Sequence, residues 1–105
     1  MPSQDHFQSG EEQELLERDR LAEPERYRVI MHNDDYTSME FVVGILQAVF
    51  HKNPEDAHTV MMAVHRQGVG QCGIYTREIA EAKISRVHRD ARKAGFPLRC
   101  SMEKV

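Results

Sequence analysis

Residues 27–32, "YRVIMH", set Tyr27, Val29 and Met31 on one side and Arg28, Ile30 and His32 on the other. A period of two over six residues predicts a strand with one face inward. The period changes at Thr37, which with Glu40 makes a Thr-x-x-Glu capping box at the start of a helix. Beyond it Val42, Ile45, Leu46 and Val49 form a core stripe, with Met39, Val43 and Phe50 to one side. A helix apolar over that width must cover something on two sides.

Asn53-Pro54 announces a second helix, a capping residue followed by proline at the first helical position, with Glu55 and Asp56 in the first turn. Its stripe is Ala57, Val60, Met61 and Val64, and Gly68 is placed to cap its carboxyl end. "GVGQCGIY" then reads as a glycine-rich strand. Thr76 opens a third helix with the stripe Ala80, Ile84, Val87, Ala91, ending at Gly95 with Pro97 beyond. In "LRCSM", Leu98, Cys100 and Met102 alternate with Arg99 and Ser101, which predicts a last strand. The order β-α-α-β-α-β implies a small two-layer α/β sandwich, a three-stranded and mostly antiparallel sheet packed against three helices. The pattern does not reveal the strand order.

Residues 1–26 break the periodicity. They hold eight acids against three arginines, a net of −5, and no β-branched residue. A stretch this polar cannot bury enough surface to offset its ordering entropy, so it is expected to be a flexible acidic arm, with the domain over residues 27–105. The whole chain of 105 residues carries −3, which argues against nucleic acid as the partner. Two cysteines, Cys72 and Cys100, give no disulfide framework and suit a reducing cytosol. No signal-peptide core opens the chain, and the longest apolar stretch, Phe41 to Leu46, is too short to span a bilayer, so a cytoplasmic protein away from the membrane is expected.

The candidate chemistry lies in "HNDDYTSME", where Asn33, Asp34 and Asp35 gather acceptors just before an apolar helix. Asn-Asp pairs also favour simple turns. A metal site would need more ligands, and the only helical candidates, His58 and His65, are seven residues apart. No serine or cysteine stands in a catalytic frame, so no enzyme, metal or cofactor is expected. An α-amino group remains, whose three donors and positive charge suit an arc of carbonyl, carboxylate and imidazole acceptors. In an extended segment side chains two apart share a side, so Asn33 and Asp35 should act together, with Asp34 turned elsewhere. His65 is the candidate third acceptor, with Met61 one turn before it on the same helical face.

"YRVIMHNDDYTSMEFVV", "VMMAVHRQG", "CGIYTREIAEAKISRVH" and "FPLRCSMEK" together resemble the Clp protease adaptor family, ClpS, almost without a gap from Tyr27 to Val105. The resemblance implies a non-enzymatic, monomeric adaptor. Such an adaptor binds proteins whose first residue is Leu, Phe, Tyr or Trp and hands them to the N-terminal domain of the unfoldase ClpA of the ClpAP protease. It implies that Asn33, Asp34, Asp35 and His65 bind the amine, and that Thr37, Met39, Val42, Met61, Val64 and Leu98 line a side-chain pocket. Met39 corresponds to a gate against β-branched side chains, Glu78 and Lys83 to the contact with ClpA, and the acidic arm to an extension needed for delivery. Ser38 stands where the family commonly has proline. A different class of function, a small RNA- or ribosome-associated protein, would use the third helix through Lys83, Arg86, Arg89, Arg92 and Lys93. Glu78, Glu81 and Asp90 interrupt that row, as in a solvated face.

Overall fold

The computed structural model describes residues 24–105, so all but the last few residues of the expected acidic arm lie outside the described residues. The elements are β1 (Arg26–His32), α1 (Met39–Ala48), α2 (Pro54–Gln67), β2 (Val69–Thr76), α3 (Arg77–Ala94) and β3 (Arg99–Lys104). Their order is the one the periodicity predicts. Arg26, placed in the arm by its charge, is instead the first residue of β1, opposite Thr76.

β1 is the central strand of a wholly antiparallel sheet of order β2-β1-β3. Its alternation is realised: Val29 and Met31 are fully buried, while Arg28, Ile30 and His32 keep partial exposure on the other face. Between Val29 and Ile30 the register with β2 slips, because Gly73 and Gln71 face consecutive residues of β1 and Cys72 is the extra residue. Cys72 is thereby turned into the core, where Cys100 of β3 is also buried, and both thiols are free. The Cys100 sulfur and burial together push the Cys72 thiol above its ordinary range, so it behaves as a small apolar residue.

The helices cover the buried face. Val42, Ile45, Leu46 and Val49 of α1, Ala57, Met61 and Val64 of α2, and Ala80, Val87 and Ala91 of α3 join the strand residues in one core. Each large aliphatic side chain removed from water contributes about 1.5–3 kcal/mol. One of the three helix starts makes the predicted capping bond. Asn53 accepts the Asp56 N–H at 2.8 Å with Pro54 at the first helical position. Thr76 opens α3 from an extended backbone, though without a side-chain capping bond. At α1 the cap is Ser38, whose hydroxyl accepts the Phe41 N–H at 3.1 Å. The Thr37–Glu40 capping box therefore does not form, because Thr37 is held by Asp34 instead.

The carboxyl end of α2 is fastened to the loop that leaves β1. Gly68 takes φ +91°, a left-handed conformation that a side chain would strain, and its N–H returns to the Val64 carbonyl at 3.0 Å. Its carbonyl then accepts the Asn33 N–H at 2.9 Å. Two residues beyond Gly68 the chain passes under α2. A Cβ at Gly70 would sit 2.7 Å from Val64 Cγ2 and 3.1 Å from the Val60 carbonyl, so only glycine permits β2 to lie this close to α2.

Candidate functional site

Two elements remote in sequence meet through that bond between Asn33 and Gly68. The loop of residues 33–38 leaves the end of β1, and the last turn of α2 stands beside it. Between them lies a cavity of about 240 Å³ lined by Asn33, Asp34, Asp35, Thr37, Met39, Val42, Met61, Val64 and His65. That is below the roughly 300–1,000 Å³ of drug-sized sites and suits a single side chain with one polar end.

The lining divides by chemistry. Val42, Met61 and Val64 are nearly buried and form an apolar floor from the facing stripes of α1 and α2. Met39, on the first turn of α1, is 44% exposed and stands at the edge. Asn33, Asp35 and His65 are exposed around the mouth. The acceptors are thus at the rim and the apolar atoms inside.

Asp34 has a more specific position than strand alternation implies. Its Oδ1 accepts the N–H groups of Tyr36 and Thr37 at 2.8 and 2.7 Å, and its Oδ2 accepts the Thr37 hydroxyl at 2.8 Å. Partial burial acts to raise this carboxyl, but the bonds from Thr37 and Tyr36 outweigh it and hold Asp34 below the usual aspartate range. Segment 33–38 is a turn, not an extended strand, so Asp34 also borders the cavity while its oxygens organise the loop. The Asp-x-x-Thr spacing was the available signal, because an aspartate commonly bonds the backbone two and three residues on. Behind the loop, His32 Nε2 meets Ser101 Oγ at 2.7 Å, and burial, with Arg99 nearby, lowers its pKa.

One expected lining residue is absent from the cavity. Leu98 is 4% exposed in the core and borders a different depression, with Phe96 and Pro97 beneath the end of α3. The sheet order accounts for this, since β3 lies on the opposite side of β1 from β2, the strand against which α2 packs.

Glu78 and Lys83 both lie on α3 and border a shallow depression with Val49, His51, Ile79, Ala82 and Arg86. Ile79 is 49% exposed there. Glu78 is exposed, but Lys83 is half-buried, its ammonium donating to the Val49 carbonyl at 2.7 Å. Among the described residues no group of three or more His, Cys, Asp or Glu could hold a metal ion, and no helix is long and apolar enough to cross a membrane.

Residues 22–101 match the family model described as ATP-dependent Clp protease adaptor protein ClpS. The chain belongs to the ClpS family. An ATP-dependent Clp protease adapter protein ClpS of Nitratidesulfovibrio vulgaris (strain Miyazaki F) is 54% identical over 96 residues, covering 91% of this chain and 96% of that protein. A ClpS of Oleidesulfovibrio alaskensis is 54% identical over 95 residues, covering 90% and 91%. Among solved structures, Agrobacterium tumefaciens ClpS2 bound to L-phenylalaninamide superposes with a TM-score of 0.76 at 39% identity, covering 78% of this chain and 99% of that one. The ClpS family is one of protease adaptors, and the β-α-α-β-α-β fold of this chain agrees with that ClpS structure.

Proposed function

We propose that the cavity between the 33–38 loop and α2 captures the first residue of other proteins when that residue is Leu, Phe, Tyr or Trp. The observation that carries this is the joining of an acceptor rim to an apolar floor in one space. An N-terminal residue has the matching shape, a cationic amine one bond from the carbon that bears its side chain. L-phenylalaninamide, the ligand of the A. tumefaciens protein, has that amine and an aromatic side chain, with an amide where a peptide would continue.

Neither half of the site suffices alone. Burying a Leu or Phe side chain contributes about 1.5–3 kcal/mol. Each charge-assisted bond from the amine to Asn33, Asp35 or His65 adds about 1.5–3 kcal/mol, less desolvation. Micromolar affinity needs about 8 kcal/mol, so a blocked amine or a wrong side chain leaves the ligand below it. Met61 and Met39 are flexible and polarisable, which lets one cavity take both aliphatic and aromatic side chains.

The bound protein is then handed, in the cytoplasm, to the N-terminal domain of ClpA through Glu78, Lys83 and the depression around Ile79, with the acidic arm taking part in delivery. The adaptor acts as a monomer and performs no chemistry itself. The RNA-associated alternative is less well supported, because two cations it would need are engaged, Lys83 on Val49 and Arg86 on Asp90. Degradation by ClpAP of paired reporters, one beginning with Leu and one with Met, tests the proposal. Adding the adaptor should speed loss of the Leu reporter alone. Equal rates for both reporters with and without the adaptor would reject it.

A further inference from the structure

α1 forms the wall of the cavity that carries Met39 and Val42, yet its own sequence supplies no basic residue in its last turn. A helix carboxyl end concentrates unpaired carbonyls and partial negative charge, and is stabilised by a cation there. Lys83 of α3 provides that cation from outside. Its ammonium bonds the carbonyl of Val49, the C-cap residue of α1, at 2.7 Å. It also lies 5.9 Å from the Phe50 ring centre and 5.2 Å from that of Tyr75, close enough for attraction to both ring faces. Tyr75 in turn lies over Gly73 of the bulged strand, where an added Cβ would overlap its ring. The ammonium thus joins α1, α3 and β2 at one point.

We infer that Lys83 is a positioning residue for the pocket, seating the carboxyl end of α1 so that Met39 and Val42 hold their places ten and seven residues back along a rigid helix. This goes beyond the docking role that the family likeness suggests for Lys83, and it rests on the proposed capture of N-terminal residues only for its binding readout. A docking-only lysine would leave peptide binding by the adaptor alone untouched.

The test is titration of a Phe-initiated peptide into the full chain without any unfoldase, for wild type, Lys83→Met, Lys83→Arg and Arg86→Gln. Lys83→Met keeps an unbranched chain one atom shorter and removes the charge and the donors. Lys83→Arg keeps both. Arg86→Gln removes a neighbouring cation that pairs with Asp90. Lys83→Met should weaken binding about fivefold or more, which at about 1.4 kcal/mol per tenfold is about 1 kcal/mol, and Lys83→Arg should recover most of it. The Met39 methyl resonance should also move in Lys83→Met and stay put in Arg86→Gln. Unchanged binding in Lys83→Met, an equal loss in Arg86→Gln, or no recovery in Lys83→Arg would overturn the inference. If wild type binds no peptide, the proposed function fails, and the Met39 resonance alone decides: unmoved in Lys83→Met, it overturns the positioning role as well.

Discussion

Replacing Asp34 separates the residue that shapes the loop from those proposed to meet the amine. Asp34→Ala removes three bonds at once, from the Tyr36 N–H, the Thr37 N–H and the Thr37 hydroxyl. Each would contribute about 1 kcal/mol net in a typical site. The group is only partly buried, so the better guide is the loss of a helix-capping side chain, about 0.5–2 kcal/mol. A cost of about 1–2 kcal/mol should appear as a lowered melting temperature, at about 4–8 °C per kcal/mol for a domain this size. Asn at this position keeps an oxygen for both backbone donors, and the Thr37 hydroxyl can rotate to accept from the amide. Asp34→Asn should therefore recover most of the stability and most of the peptide affinity.

Asp35 should behave in the opposite way. It is exposed at the cavity mouth, so Asp35→Asn should leave the melting temperature alone and weaken binding of a Phe-initiated peptide about tenfold through the lost charge. The pH dependence gives a further check. A carboxyl held below its ordinary value contributes stability that is present above that value and lost as pH falls through the lower, folded one. The melting gap between wild type and Asp34→Ala should be full at pH 7 and close below the ordinary value of 3.8. Calorimetry and peptide titration on the three variants decide the matter. If Asp34→Asn is as damaged as Asp34→Ala while Asp35→Asn binds like wild type, the assignment of turn and charge is reversed.

Met39→Ala should admit Ile- and Val-initiated peptides while Leu and Phe ligands still bind, because the exposed methionine at the cavity edge is what a β-branched side chain would strike; competition titrations read this. Gly70→Ala should destabilise the fold by about 1–3 kcal/mol, by overpacking against Val64 and the Val60 carbonyl, and should weaken peptide binding with it, since Val64 is part of the cavity floor; denaturant melts and titrations show both effects. Deleting residues 1–23 should leave peptide affinity unchanged yet abolish accelerated degradation of a Leu-initiated reporter by ClpAP. His65→Ala should weaken binding of a Phe-initiated peptide severalfold in the same titration, because the imidazole is one of the acceptors proposed for the ammonium.

The strands and helices were legible in the sequence because each carries its own period and its own ends. Val29 and Met31 announce β1, and Asn53-Pro54 and Gly68 bracket α2. What was not legible depends on meetings between remote segments. The central place of β1 comes from its pairing with two strands that lie much later in the chain, and no local pattern encodes that choice. Leu98 was placed in the pocket by the family resemblance alone, and it does not border the cavity between the 33–38 loop and α2. The capping error at α1 has a local cause: Thr37 and Ser38 could each cap the helix, and Asp34 takes the threonine. Asn33, Asp35 and His65 line one cavity, and the Asn33–Gly68 bond ties the loop to the end of α2. The double role of Asp34 and the inward bond of Lys83 appear only once the backbone is in place.

The central claim is that the rim of the cavity reads a free α-amino group while its floor reads the side chain. Calorimetric titration of one Phe-initiated peptide, with its amine free and with it acetylated, tests this most directly. Acetylation removes the charge and two of three donors and leaves the side chain untouched. The loss of two charge-assisted bonds, at about 1.5–3 kcal/mol each, predicts that the acetylated peptide binds about a hundredfold more weakly or not at all. Binding of the two forms with similar affinity would contradict the account.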